Sequence, residues 1–262
     1  MLKNRIVFAM IVAFLTQSAR ANFQVISDND DTLKITNALD TTAAGWNTFF
    51  SPAFFTGSTE LFRSWARSGA QINIVSGGLS ALSSFTTRDL NYNLIPFLGL
   101  YERPTLGITI YDFKLQTISI LAKRNLDKYV LIGDDTQSDF DVYSQLRKNN
   151  SNRFVAAYIH KITGRTLPPN VQPYYTDFEV AVFENVAGRI SDSDLSRSAN
   201  AILNLTRVEY LFPKFAVCPK SIDELSPQYF EAVAALKPTF KPTAMRVTTA
   251  IVDACLKHFS PK

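Results

Sequence analysis

Three carboxylates crowd the stretch from Phe23 to Thr32. An apolar run, Phe23 to Ile26, halts at Ser27, and Asp28, Asp30 and Asp31 follow at once. A short apolar run bounded by a polar turn reads as a buried strand. In open α/β sheets the ligand crevice lies outside the carboxyl ends of the strands. Carboxylates gathered there repel one another, at a cost that a cation or a catalytic role offsets. On its own, the same stretch also suits a solvated turn, because Asp and Thr both favour turns and caps.

Later segments repeat the pattern. Ile72 to Val75 ends at Ser76-Gly77-Gly78, where a hydroxyl and closely approaching backbone N–H groups suit an oxyanion. Tyr129 to Ile132 ends in Gly133-Asp134-Asp135, with Asp139 shortly after. Between these runs, Lys114 falls on a stretch with Leu115, Ile118 and Leu121 periodic on one side, and Lys123 is a rival cation nearby. His160 follows a fourth apolar run, Phe154 to Ile159, and a lone histidine there is more often structural.

The elements that must position these groups alternate. Helices are expected over Thr59–Arg67, Leu79–Phe85, from Asp112, and over Val142–Leu146. Strands alternating with helices imply a Rossmann-like parallel sheet with helices on both faces. Leu33 to Gly57 lacks a helical period and reads as an irregular flap carrying Trp46, Phe49, Phe50, Phe54 and Phe55. Thr166 to Tyr175, with Pro168, Pro169 and Pro173, reads as a linker or surface crossing. Helices follow: one ending at Gly188, one capped by Ser191, one opening at Ser226-Pro227, and one over Thr243–Phe259. The chain thus divides into a signal peptide (1–21), a catalytic core (22–165) and a helical C-terminal extension (166–262).

The ordered motifs resemble the haloacid dehalogenase superfamily. More narrowly, Ser27-Asp28-Asn29-Asp30-Asp31-Thr32, Val75-Ser76-Gly77-Gly78 and Leu131-Ile132-Gly133-Asp134 followed by Asp139 resemble the App1-type phosphatidate phosphatase domain. The likeness covers about Phe23 to His160. Two positions depart from it: Asn29 replaces a usual aliphatic residue, and Asp135 adds an acid. The resemblance implies that Asp28 is a nucleophile forming an aspartyl-phosphate and that Asp30 is the general acid and base. It implies Mg²⁺ held by the Asp28 carboxylate, the Asp30 backbone carbonyl and Asp134, with Asp139 as ligand or support and Asp135 as competitor. Ser76, with Gly77 and Thr32, and Lys114 would bind the phosphoryl oxygens.

Superfamily phosphatases often carry a cap over small substrates, yet neither of the two intervals between motifs has room for a substantial one. An open site suits a phosphate on something large, and a lipid at an interface fits the aromatic flap. Peripheral membrane contact follows from that reading. Phosphatidate or a related phospholipid is therefore the expected substrate. The alternatives are a phosphatase of soluble phosphomonoesters and a phosphate-binding module without turnover.

The first residues point to export. Lys3 and Arg5, the apolar run Ile6–Leu15 and Ala19-Arg20-Ala21 form a secretory signal pattern, implying a periplasmic or secreted protein. The full chain has 27 Lys+Arg against 23 Asp+Glu. Residues 1–21 hold three of these bases and no acids, leaving 24 against 23 in the remainder. That balance calls for no nucleic-acid partner. Export also permits a disulfide between the only two cysteines, Cys218 and Cys255.

Overall fold

The computed structural model describes residues 23–124 and 127–259. The expected signal peptide lies outside the described residues. β1 (Phe23–Ser27), β2 (Gln71–Leu79), β3 (Gly99–Arg103), β4 (Lys128–Asp134), β5 (Phe154–His160) and β6 (Gln172–Tyr174) form one sheet in the order β3-β2-β1-β4-β5-β6. Every pairing is parallel. The expected α/β class is the observed one.

Because side chains alternate along a strand, neighbours on β1 serve opposite faces. Val25 joins Ile74, Val130 and Ile132 in one core cluster, while Ile26 joins Val75, Leu131 and Ile159 in the other. α4 (Ile110–Lys123) and α5 (Asp139–Asn149) cover the second face through Phe113, Ile118, Val142 and Tyr143. The first face is covered by α2 (Ser58–Arg67) and by α6 (Asp177–Val186), α7 (Asp192–Leu203), α8 (Pro227–Ala235) and α9 (Lys241–Phe259). Trp65 of α2 and Tyr158 of β5 both donate to the buried Glu184 carboxylate of α6, at 2.8 and 2.6 Å. The C-terminal helices therefore share the core of the sheet. Their ends follow the expected signals: Gly188 adopts φ 72°, Ser191 and Ser226 cap α7 and α8, and Cys218 and Cys255 are disulfide-bonded.

Three regions differ from expectation. Thr41–Phe50 is a helix, α1, whose first turn is capped by Asp40 accepting from the Thr42 and Ala43 N–H groups. Local capping sets it, with no buried apolar stripe to announce it. The supposed linker also supplies β6, a short edge strand where Pro173 is tolerated. The helix expected over Leu79–Phe85 lies later in the chain: β2 runs on to Leu79, a short 3₁₀ turn occupies Ser80–Leu82, and α3 spans Ser83–Tyr92. Among the described residues, no helix is long and apolar enough to cross a membrane.

Candidate active site

Adjacent parallel strands end side by side, so β1 and β4 deliver their terminal acids to one place. Ser27 pairs with Ile132 in register, and the Asp28 N–H continues the ladder onto the Ile132 carbonyl at 2.9 Å. Asp139, the first residue of α5, folds back over the end of β4. Gly133 makes this possible: a methyl group there would lie 2.6–2.7 Å from the Asp139 side chain. As a result Asp28, Asp134 and Asp139, all buried, present carboxylate oxygens within 4.8 Å of one another. α4 inserts the wholly buried Lys114, whose Nζ lies 2.8 Å from Asp28 Oδ1 and 2.5 Å from Asp139 Oδ1.

The electrostatics are those of too many acids for one cation. Burial, reinforced by Asp139 and Asp28, holds Asp134 well above the usual carboxylate range. Burial likewise pushes Asp139 up to about 7 despite Lys114. Burial alone would lower Lys114, but Asp139, Asp28 and Asp134 more than offset it and hold its value above that of an ordinary lysine. Asp28 Oδ1 has the Lys114 ammonium beside it but no well-directed hydrogen bond. Three buried hard-oxygen donors with residual repulsion fit a divalent cation.

The other expected residues take distinct places. Asp30 is partly exposed, and burial, then Asp28 and Asp31, push its carboxyl up to about 7 against Lys34 and Lys114. Ser76 Oγ donates to Asp30 Oδ2 at 3.3 Å and accepts from the Gly78 N–H at 3.0 Å. Gly77 is hemmed by Gln137 and Ile110, each 3.0 Å from where a methyl would sit. Thr32 does not face an opening: its hydroxyl is buried and donates to Asp134 Oδ2 at 3.1 Å. Lys123 is exposed at the far end of α4.

The bystanders are explained by their partners. Asp31, at φ 56°, accepts from the N–H groups of Thr36, Asn37 and Ala38 and from the Thr36 hydroxyl, fixing the loop that leads to α1. Asp135 turns away and accepts from the backbone N–H groups of Ile162, Thr163 and Arg165. His160 is buried between the Asp31 and Tyr175 carbonyls, at 3.0 and 3.1 Å, and burial pushes it down to about 4. Two residues went unforeseen. Thr136 donates both its N–H and its hydroxyl to Asp134 Oδ1, a role its place after Gly-Asp could have suggested. Glu102, paired in register with Ser76, carried no signal in the sequence.

The expected aromatic flap divides. Trp46 and Phe50 on α1 are 65 % and 66 % exposed, and Phe49 stacks edge-on against Phe85. Phe54 and Phe55 are instead buried in the core.

No curated protein matches the sequence. Among solved structures, two from the Pnkp1/Rnl/Hen1 RNA repair complex are similar, at 20% and 21% identity with TM-scores of 0.38 and 0.37. They cover 52% and 51% of this chain, which spans less than half of theirs, 45% and 41%. A class C acid phosphatase from Bacillus anthracis with tungstate bound is 14% identical, with a TM-score of 0.37, over 75% of this chain and 85% of its own. The family described as phosphatidate phosphatase APP1, catalytic domain, matches residues 23–161. That stretch is more than half of the chain and holds every acid of the site. The chain belongs to this family of haloacid dehalogenase-like phosphomonoester hydrolases.

Proposed function

We propose that the protein is an exported, Mg²⁺-dependent phosphatase acting on phosphatidate or a related phospholipid, with Asp28 as nucleophile. The observation that carries this reading is the clustering of Asp28, Asp134 and Asp139 around buried Lys114, with Asp30 and Ser76 beside them. Asp28 attacks phosphorus and forms an aspartyl-phosphate, splitting one difficult displacement into two easier ones. Asp30, whose carboxyl titrates near neutrality, gives its proton to the leaving alkoxide and later takes one from the hydrolytic water. Lys114 keeps Asp28 and Asp139 in place and balances their charge. Ser76 Oγ, oriented by the Gly78 N–H that donates to it, holds a phosphoryl oxygen. Asp28, the Asp30 backbone carbonyl, Asp134 and Asp139 would hold the Mg²⁺, which supplies charge neutralisation between nucleophile and phosphate.

Export is supported by the N-terminal sequence pattern and by the Cys218–Cys255 bond, since disulfides persist in oxidising compartments. A lipid substrate is supported by α1, an uncharged helix with Trp46 and Phe50 in solvent. It is tied to the catalytic loop by the Asn47 side-chain amide, which donates to the Thr36 carbonyl at 3.0 Å. The test is hydrolysis of phosphatidate in mixed micelles and of soluble phosphomonoesters, with and without Mg²⁺, by wild type and Asp28→Asn. We expect Mg²⁺-dependent release of phosphate from phosphatidate, and a loss of about 10³-fold or more in the variant. Wild-type rates in Asp28→Asn, or a preference for the soluble esters, would overturn the assignment.

A further inference from the structure

The proposed general acid sits beside a polar side chain that takes no part in the chemistry above. Asn29 lies between Asp28 and Asp30 and is only 3 % exposed. Its backbone is pinned, because its carbonyl accepts from the Leu33 and Lys34 N–H groups, each at 2.9 Å. Among the described residues, its side-chain amide makes one hydrogen bond, from Nδ2 to Asp30 Oδ1 at 3.3 Å. The amide Oδ1 is shielded from solvent and has no partner there. A buried acceptor left bare is costly, and an aliphatic side chain of like volume would avoid the cost. Proteins break a local rule of this kind mainly where a site gains from it.

What Asp30 gains is a fixed carboxyl plane. Two side-chain donors meet it, Asn29 Nδ2 at Oδ1 and Ser76 Oγ at Oδ2, each at 3.3 Å. The nearby cations are engaged elsewhere, Lys34 with Asp89 and Lys114 with Asp28 and Asp139. Ser76 has a single O–H, so once it donates to a phosphoryl oxygen it no longer donates to Asp30. The Asn29 amide is then the side-chain donor that stays on this carboxyl. Oδ2 faces the phosphate-binding turn, 3.9 Å from where a methyl on Gly78 would sit. Resting on the phosphatase reading above, we infer that Asn29 is a positioning residue, whose bond to Oδ1 keeps Oδ2 turned toward the phosphate as the oxygen that carries the proton. In the first step the bond from Asp28 to phosphorus forms and the bond from phosphorus to the ester oxygen breaks. The electron pair of the broken bond stays on the ester oxygen, which takes the proton from Asp30 Oδ2 and leaves as an alcohol. An aryl oxide leaves as a stable anion and needs that proton far less.

The experiment reads dependence on the leaving group. The lipid pair is phosphatidate and 4-dodecyl-2-nitrophenyl phosphate in mixed micelles; the soluble pair is glycerol 3-phosphate and 4-nitrophenyl phosphate. The quantity is the alkyl-to-aryl ratio of kcat/KM in wild type, Asn29→Leu, Asp30→Asn and the double variant. Comparing each variant with wild type on the same esters cancels differences in binding between them. Leu keeps the volume and matches the aliphatic residue usual at this position, so the variant should fold. We expect the ratio to fall about tenfold in Asn29→Leu and further in Asp30→Asn. In the double variant it should equal that of Asp30→Asn alone, because Asn29 acts through Asp30. Parallel losses on alkyl and aryl esters in Asn29→Leu, with the ratio unchanged, would reduce Asn29 to packing and overturn the inference while leaving the phosphatase reading intact. A further fall in the double variant would overturn it in the same way. An unchanged ratio in Asp30→Asn would instead remove Asp30 as the acid, and the inference with it. The expected pattern within the soluble pair alone, with neither lipid hydrolysed, would sustain the role of Asn29 and refute the lipid reading of function.

Discussion

The Lys114 ammonium lies 2.8 Å from Asp28 Oδ1, with both groups withdrawn from solvent. Asp28, the proposed nucleophile, is thus held by a cation delivered from a different element, and the same cation reaches Asp139. Removing Lys114 would leave three buried acids with no compensating charge. We expect Lys114→Met to destabilise the fold by about 3–5 kcal/mol, as loss of one partner from a buried pair does. On the proposed reading Mg²⁺ binds the native acids, and it should then restore part of this loss by mass action. Denaturant melts with and without Mg²⁺ check this; an undisturbed midpoint, or no response to Mg²⁺, contradicts it.

Asp135 and Asp139 should separate cleanly by their variants. Asp139→Asn removes a charge from the acid cluster and should weaken activation by Mg²⁺. Asp135→Asn instead disturbs a carboxylate accepting three backbone N–H groups in the 162–165 loop. Its cost should be stability, about 1–3 kcal/mol, with Mg²⁺ activation near wild type. Mg²⁺ titrations of activity after EDTA treatment decide it, and the reverse outcome would transfer the metal role to Asp135.

Stability should fall as pH rises through neutrality, in part because of Asp177. Burial pushes this carboxyl up to about 7 from 3.8, while the hydrogen bond from Ser58 Oγ at 2.6 Å pulls the other way. The folded value exceeds the unfolded one, so the folded chain binds more protons between them. The contribution is complete below the unfolded value and is lost as pH climbs through about 7. The slope is at most about 1.4 kcal/mol per pH unit. Asp177→Asn keeps an acceptor for Ser58 and removes the titration, so the drop in Tm between about pH 5 and about pH 8 should shrink. Equal drops in the two proteins would show that Asp177 is not responsible.

The exposed and buried aromatics should part company in kinetics. Trp46→Ser with Phe50→Ser should weaken hydrolysis of phosphatidate in vesicles several-fold, by analogy with interfacial helices. A soluble ester should be turned over much as before. Phe54→Ser should instead lower stability by about 3–5 kcal/mol and depress both activities through unfolding. Parallel losses on both substrates in the Trp46/Phe50 variant would make those rings structural.

What could be read in advance follows the physics of each element. The buried strands announced themselves as apolar runs halted by acids, and Asp28, Asp134 and Asp139 do converge. Their convergence rests on register between β1 and β4, which periodicity alone does not contain. α1 stayed hidden because it buries no apolar face, and helical period is visible only where a face is buried. β6 stayed hidden because three residues containing a proline resemble a loop until an edge is found for them. Phe49 and Phe54 are the same residue type in the same stretch, yet the first is exposed and the second is core. Composition could not tell them apart. Glu102 was invisible for a similar reason: its place beside the site comes from a cross-strand neighbour, Ser76, far away along the chain.

The shared core has a consequence for how the protein is made. Every acid of the site is synthesised before α6 to α9, the helices that line one face of the sheet carrying those acids. While translation continues, Val25, Ile74, Val130 and Ile132 lack the cover that the later helices give them, and the early product should be prone to association. A premature stop in the first turn of α9 would spare the acid cluster and still remove Val247, Ile251 and the Cys255 half of the disulfide. Nonsense alleles late in the gene should therefore behave as null for activity, and their products should be found among aggregates or protease fragments.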